Sequence, residues 1–228
     1  LNETVAQFLA TAGAEATLAA HDPTATMRPS TRSDSQGERA VEEWVAAEPD
    51  SRRPVELGDL LGEGGMGVVL AGRQTDLMRE VAIKRVRPER RSRGTTRRLL
   101  QEGWASGALE HPNVVPVHFV GRDDEEPYLV MRRVQGTEWG RLMADGATVS
   151  TRFGVEDLLG WNLRVLMQVC NAVSYAHAQG ILHRDIKPEN VMIGAFGEVY
   201  LMDWGLAVAV DDRHQGRVPS VRSVRSMA

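Results

Sequence analysis

A glycine cluster constrains the fold of this chain more than any other feature. The segment Gly62-Glu63-Gly64-Gly65-Met66-Gly67 lies between two apolar stretches, Val55–Leu61 and Val68–Ala71. Apolar stretches on both sides of a glycine-rich turn predict a strand, a turn and a second strand. Because a strand follows the glycines, the pattern does not match a dinucleotide-binding unit, in which a helix follows. Glycines let a backbone approach phosphates closely, but a glycine-rich hairpin without a ligand fits this segment equally well when it is taken alone.

Lysine is almost absent from the chain, and the two exceptions stand in informative places. Of the 27 lysine and arginine residues, only Lys84 and Lys187 are lysine. Lys84 ends the segment Val81-Ala82-Ile83-Lys84, 17 residues after Gly67, on a strand predicted over 79–86. A cation on a half-buried strand needs an anionic partner, and Glu102 on a helix predicted over 95–109 is the best candidate. The alternative is a lysine exposed at a sheet edge.

A polar segment near the C-terminal end carries the residue types of phosphoryl transfer. It reads His183-Arg184-Asp185-Ile186-Lys187-Pro188-Glu189-Asn190. Asp185 can accept a hydroxyl proton, Lys187 can neutralise a transferring phosphoryl group, and the amide oxygen of Asn190 can bind a hard cation. Asp203, which is 18 residues after Asp185, offers a further carboxylate for Mg²⁺. The alternative, a charged turn after a helix, leaves most of this pattern unexplained.

These segments, in this order and spacing, resemble the signature set of the protein kinases. The string from His183 to Asn190 resembles the serine/threonine kinases, and the string from Gly64 to Val69 resembles bacterial kinases of the eukaryotic-like type. The resemblance covers about residues 55–227. It departs at Trp204, where the family has phenylalanine, and in the lack of an Ala-Pro-Glu motif before Ala228.

The resemblance implies an α+β fold with the two lobes of a protein kinase. Residues 54–134 would form the small lobe, with an antiparallel sheet of about five strands and one helix. Residues 135–228 would form an incomplete large lobe that ends in the activation segment. Residues 1–53, rich in Ala, Thr, Ser and Pro, are expected to be a disordered leader or linker.

The resemblance also assigns roles to individual residues. Lys84 would hold the α- and β-phosphates of ATP and pair with Glu102, while Asp185 would be the catalytic base, with Lys187 beside it. Asn190 and Asp203 would hold Mg²⁺. The loop over the phosphates would comprise Gly62, Gly64, Gly65, Met66 and Gly67. The adenine pocket and hinge would comprise Val69, Ala82, Met131, Val134 and Met192.

The expected function is Mg²⁺-dependent transfer of the ATP γ-phosphoryl group to Ser or Thr hydroxyls of a protein substrate in signalling. One alternative is a catalytically impaired, ATP-binding fragment or pseudokinase-like scaffold. Because the chain stops 25 residues after Asp203, we expect it to be a poor kinase on its own and marginally stable or prone to aggregate. A second alternative is nucleic-acid binding through the seven arginines between 85 and 98. No aromatic residues are interleaved with them, so we expect no nucleic-acid partner.

The cysteine count and the lack of long apolar runs narrow the possible classes of protein. The only cysteine, Cys170, excludes an internal disulfide framework and favours a reducing, cytoplasmic location. No apolar run reaches the ~18 residues needed to span a membrane. A long helix is predicted over 157–179, and Cys170 is expected to be a core residue. In the protein kinases the apolar face of this helix packs partly against later helices, so we expect several of its side chains to be exposed in this chain. The predicted apolar face comprises Leu159, Leu163, Leu166, Cys170, Val173 and His177.

Overall fold

The computed structural model describes residues 39, 42, 43, 46, 55–64, 67–123, 126–214 and 216–220. The leader predicted over 1–53 therefore lies almost wholly outside the described residues. Its four described residues, Arg39, Glu42, Glu43 and Ala46, are helical.

A five-stranded antiparallel sheet forms the N-terminal part of the fold. Its strands are β1 (Val55–Glu63), β2 (Gly67–Gln74), β3 (Arg79–Val86), β4 (Val117–Asp123) and β5 (Glu126–Arg132). The spatial order is β1-β2-β3-β5-β4, so β3 lies at the centre of the sheet. The number of strands agrees with the expected five, and β4 begins three residues after Val114. Val114 instead makes an isolated bridge to Leu201, because the chain there passes against the C-terminal part.

One helix, α1 (Arg93–Gly107), packs on the inner face of this sheet. Ser92 caps its first turn, accepting a hydrogen bond from the Thr95 backbone N–H while the Thr95 hydroxyl accepts one from the Ser92 N–H. Gly103 costs helix propensity, but a Cβ at this position would collide with Leu129 of β5. The glycine therefore allows the helix to lie close to the sheet. This close approach explains why a residue of low helix propensity occupies the position.

The C-terminal part is mostly helical, with short strands between the helices. Its helices are α2 (Trp139–Leu142), α3 (Gly146–Phe153) and α4 (Leu158–Ala178). Its strands are β6 (Gly136–Glu138), β7 (Ile181–Leu182), β8 (Val191–Gly194), β9 (Val199–Leu201) and β10 (Val208–Ala209). Strands β6, β8 and β9 form one antiparallel sheet in the order β6-β8-β9. Strand β7 pairs with β10. Single 3₁₀ turns cover Pro88–Arg90, Pro188–Asn190 and Asp212–His214.

Asn113 fastens the two parts to each other. Its side-chain amide donates to the Gln168 side chain of α4 at 3.1 Å and to the Val199 carbonyl of β9 at 3.0 Å. Its own carbonyl accepts a 2.7 Å hydrogen bond from the Leu201 N–H. The largest buried cluster crosses the same junction, since it includes Ala105 of α1 and Val114 together with the core of the C-terminal part.

The apolar face predicted for α4 is exposed, as expected, but the placement of Cys170 in the core is wrong. Leu159, Leu163 and Leu166 are exposed, and so are Cys170 and His177, while Val173 is partly buried. The side that packs into the core instead comprises Trp161, Val165, Val169, Ala172 and Ala176. The helix carries apolar residues on two sides, so spacing alone did not decide which side the other elements would cover.

This difference predicts unequal effects of two truncations on α4. Val169→Ala removes buried methyl groups and should lower the free energy of unfolding by about 1–3 kcal/mol. Leu166→Ala, on the exposed side, should change it by less than about 0.5 kcal/mol, since leucine and alanine have similar helix propensities. Urea unfolding followed by circular dichroism measures both. A loss at Leu166 as large as that at Val169 would contradict the assignment of the buried side.

Candidate active site

Lys84 of β3 and Glu102 of α1 form a close, largely buried ion pair. The Lys84 Nζ lies 2.6 Å from Glu102 Oε1 and 2.7 Å from Oε2. The two side chains are 19% and 8% exposed, respectively. The sheet register places Lys84 between Val69 of β2 and Leu129 of β5, so its backbone is fixed on both sides. Leu99 and Leu100 are buried in the same helix and hold Glu102 against the sheet.

Burial and charge have opposing effects on the two groups of this pair. Burial by itself lowers the pKa of Lys84, but the attraction of Glu102 and Asp203 outweighs this effect and leaves that pKa above its usual value. Burial raises the pKa of Glu102, and Asp203 adds to the rise, whereas Lys84 opposes it. Removing either partner would therefore leave the other charge buried without a counter-ion.

Asp203 brings a second carboxylate to the Lys84 ammonium. Its Oδ1 lies 3.8 Å from Lys84 Nζ, and its side chain is about half exposed. Its backbone has φ +60°, in the left-handed region that few non-glycine residues adopt. The next residue, Trp204, is buried edge-on against His183, with the two ring centroids 4.5 Å apart. The tryptophan therefore packs against His183, and the neighbouring Asp203 carboxylate stays half exposed near Lys84.

A second polar cluster is built on the loop between β7 and β8. The Lys187 Nζ donates to Asp185 Oδ2 at 2.8 Å, and the Asn190 Nδ2 donates to the same oxygen at 2.9 Å. These two hydrogen bonds, that of Lys187 first, hold the pKa of Asp185 below its usual range. The reciprocal bond raises the pKa of Lys187. Asn190 is buried, and since its amide nitrogen is committed to Asp185, its Oδ1 remains the atom suited to a cation.

His183 joins the two clusters. Its Nδ1 accepts a hydrogen bond from the Asp185 N–H at 3.2 Å, so its Nε2 carries the proton and donates to the Met202 carbonyl at 2.9 Å. Burial lowers the pKa of His183, which keeps the ring neutral and this pattern of donors intact. The Met202 N–H also donates to the Asn190 carbonyl at 2.8 Å. The residues preceding Asp203 are thereby tied to the loop that carries Asp185 and Asn190.

The glycine loop is the turn that connects β1 to β2. Gly62 pairs with Val69, and the Gly64 N–H donates to the Gly67 carbonyl at 2.9 Å. A side chain at Gly67 would collide with the Arg85 carbonyl, so this position accepts only glycine. Gly65 and Met66 lie outside the described residues.

The residues predicted for the adenine pocket fall in two places. Val69, Ala82 and Met131 share one apolar cluster under the sheet, where Ala82 also pairs directly with Met131. Val134 lies in the connection between β5 and β6, and Met192 lies on β8 opposite Glu138. The two groups therefore border the junction between the sheet and the helical part from opposite sides.

Sequence reasoning missed two features of the site. The two hydrogen bonds of His183 depend on which backbone groups the fold brings to it, so spacing does not predict them. Arg87 belongs to the arginine-rich stretch between 85 and 98, yet it contacts Glu63 and Gly64 of the glycine loop. No local pattern could have indicated this contact, because the partners come from different strands.

Comparison with known proteins identifies the family. The family model described as protein kinase domain matches residues 55–225. The chain belongs to the protein kinase domain family. Serine/threonine-protein kinase PknD of Protochlamydia amoebophila is 35% identical over 156 residues, covering 66% of this chain and 16% of that protein. PknD of Chlamydia trachomatis serovar D is 34% identical over 157 residues, covering 67% and 17%. This chain thus spans about a sixth of the length of these relatives.

The donor set of this kinase domain suits a hard cation such as Mg²⁺. Asp203 supplies a half-exposed carboxylate and Asn190 an amide oxygen, both of the oxygen type that Mg²⁺ prefers. Within the part of the chain that the structure describes, no group of three or more His, Cys, Asp or Glu could hold a metal by itself. Mg²⁺ commonly takes substrate phosphates as its remaining ligands, so two protein ligands are compatible with its binding.

The described helices include none that is both long and apolar enough to cross a membrane.

The contacts of Asp185 predict the effect of removing its lysine partner. Lys187→Met should raise the pKa of Asp185, because the hydrogen bond from Lys187 is the largest cause of its low value. The remaining bond from Asn190 should keep the pKa from returning fully to its usual range. Carboxyl ¹³C chemical shifts followed against pH measure this change.

Asp211 provides the internal control in the same spectra. Its pKa is held low by Arg213, which Lys187→Met does not touch. A shift of both carboxyl groups, or of neither, would contradict the prediction.

Proposed function

We propose that this kinase domain transfers the γ-phosphoryl group of ATP to Ser or Thr hydroxyls of a protein substrate in a Mg²⁺-dependent reaction. The observation that carries the proposal is the joining of two clusters, Lys84–Glu102–Asp203 and Asp185–Lys187–Asn190, through His183. Each cluster has charges of both signs with unequal exposure, as phosphoryl transfer by positioning and charge neutralisation requires.

Asp185 acts on the substrate hydroxyl in this proposal. Its low pKa keeps the carboxylate ionised at neutral pH, so it can accept the hydroxyl proton or a hydrogen bond from it. Lys187 lies 2.8 Å from this carboxylate and is about half exposed, so its ammonium can also reach the transferring phosphoryl group. Asn190 fixes the carboxylate from the other side and limits its rotation.

Lys84 binds the phosphates of ATP in this proposal, and Glu102 orients it. The pair presents the ammonium at a fixed point beneath the glycine loop, because β3 and α1 hold both ends. Asp203 and Asn190 would hold Mg²⁺, which when bound supplies positive charge to the phosphate oxygens. The apolar cluster of Val69, Ala82 and Met131 would receive the adenine ring, with Val134 at the hinge and Met192 below.

The choice of Ser or Thr as acceptor is supported by Lys187 and by the similarity of the chain to serine/threonine-protein kinases. Residues 54–134 and 135–228 are proposed as the small lobe and the incomplete large lobe, with the boundary in the connection from β5 to β6. The cytoplasmic location stays a prediction from the single cysteine.

Substitution of Lys84 tests the nucleotide site. Lys84→Met should lower phosphoryl transfer by about 10²–10³-fold, because it removes a charge aimed at the phosphates. Lys84→Arg should also impair transfer, since a planar guanidinium cannot replace a compact ammonium between two carboxylates. The measurement is steady-state transfer of ³²P from ATP to a Ser/Thr peptide. Normal turnover of Lys84→Arg would contradict the role of Lys84.

Substitution of Asp203 tests the metal site separately from turnover. Asp203→Asn should remove most of the gain in ATP affinity that Mg²⁺ provides, because a neutral amide is a poorer ligand for a hard dication. Calorimetric titration of ATP with Mg²⁺ and with EDTA measures this gain. Asp211→Asn is the matched control, because the Asp211 carboxylate pairs with Arg213 rather than with Lys84. Equal ATP affinity with and without Mg²⁺ in the unsubstituted protein would contradict the proposed site.

The main alternative is an ATP-binding scaffold with little or no transfer. The two experiments together distinguish it: a scaffold binds ATP and responds to Lys84→Met in binding, but phosphorylates no Ser/Thr peptide in its unsubstituted form. The intact Asp185–Lys187–Asn190 cluster favours the enzyme.

A further inference from the structure

Arg87 makes two contacts with the glycine loop. Its Nη2 donates to the Gly64 carbonyl at 3.0 Å and lies 2.9 Å from Glu63 Oε2. Its Nε is shielded from solvent, and the side chain as a whole is about one-third exposed. The guanidinium is therefore seated against the loop rather than extended into water.

Arg87 reaches the loop from the side away from Lys84. Arg87 directly follows β3 and has extended backbone angles, φ −65° and ψ 141°, so the alternation of the strand continues through it. Lys84 turns toward Glu102 of α1, whereas Arg85 turns to the opposite side and pairs with Asp123 at 2.8 Å. Arg87 shares the side of Arg85, so it contacts the loop backbone from the side opposite to the Lys84 ammonium.

The described residue on the N-terminal side of Gly64 belongs to a weakly paired strand. Strand β1 is an edge strand whose register against β2 is interrupted on both sides of Leu60, and most of its residues are exposed. Glycine backbones lose more conformational freedom on ordering than other residues do. A contact that holds Gly64 in place therefore lowers the entropic cost of fixing this backbone when a ligand binds.

We propose that Arg87 is a positioning residue that holds Glu63 and Gly64, at the start of the glycine loop, in place for the binding of nucleotide phosphates. This inference rests on the proposed function, because it requires that ATP binds beneath the loop. Since exposed ion pairs contribute little individually, the expected effect is moderate: loss of Arg87 should weaken ATP binding by about 3–10-fold and adenosine binding not at all.

The test is calorimetric binding of Mg²⁺·ATP and of adenosine to the 228-residue chain and its variants. Arg87→Ala should weaken the affinity for ATP alone, and Arg87→Lys should restore part of it because the charge near Glu63 is kept. Glu63→Gln should produce a smaller loss in the same direction, and this loss should largely vanish when Arg87 is already alanine. Arg90→Ala, an exposed arginine of the adjoining 3₁₀ turn, is the matched control and should change neither affinity.

The outcomes separate the two proposals. ATP binding within about twofold of the unsubstituted protein in Arg87→Ala would overturn the role of Arg87 while leaving the proposed function standing. An equal loss of ATP and adenosine affinity, accompanied by a lower melting temperature, would also overturn it, because it would indicate a merely structural role. Failure of the unsubstituted protein to bind ATP would overturn the proposed function and this inference together.

Discussion

The buried ion pair between Lys84 and Glu102 is the contact on which the site depends. It joins the central strand of the sheet to its one helix, and Asp203 approaches the same ammonium from the C-terminal part. Desolvation makes such a pair a poor source of net stability, while removal of one partner is strongly destabilising. Its main effect is therefore positional: it fixes an ammonium at one point and makes the helix, the sheet and the Asp203 loop adopt compatible positions.

Backbone geometry fixes the segments that carry Asp185 and Asp203, in addition to the ion pairs of these residues. Arg184 and Asp203 both have positive φ, and the Arg184 side chain donates from Nε to the Leu206 carbonyl at 2.7 Å. His183 bonds the loops on both sides of these residues. Strained backbone of this kind persists only where the surrounding structure fixes it, and here it is fixed by a buried, neutral histidine and a buried tryptophan.

The exposed apolar side of α4 contrasts with this tightly determined site. Leu159, Leu163, Leu166 and Met167 are all exposed there, while the opposite side of the same helix is fully packed. A helix with apolar residues on both sides can satisfy the core with either one. The elements packed on Trp161, Val165 and Val169 decide which side is used, and these elements are distant in sequence.

The sequence alone predicted the candidate site residues and most of the strands. Local spacing of the glycines and lysines predicted the first strands and the pairing of Lys84 with Glu102, and the resemblance to the protein kinases predicted the five-stranded sheet and its helix. Only the tertiary structure decided which side of α4 is buried, that Cys170 is exposed, that Gly103 admits Leu129, and that Arg87 lies on the glycine loop. The reason is physical: burial and cross-strand contacts depend on which surfaces meet, and a single stretch of sequence specifies its own periodicity but not its partner.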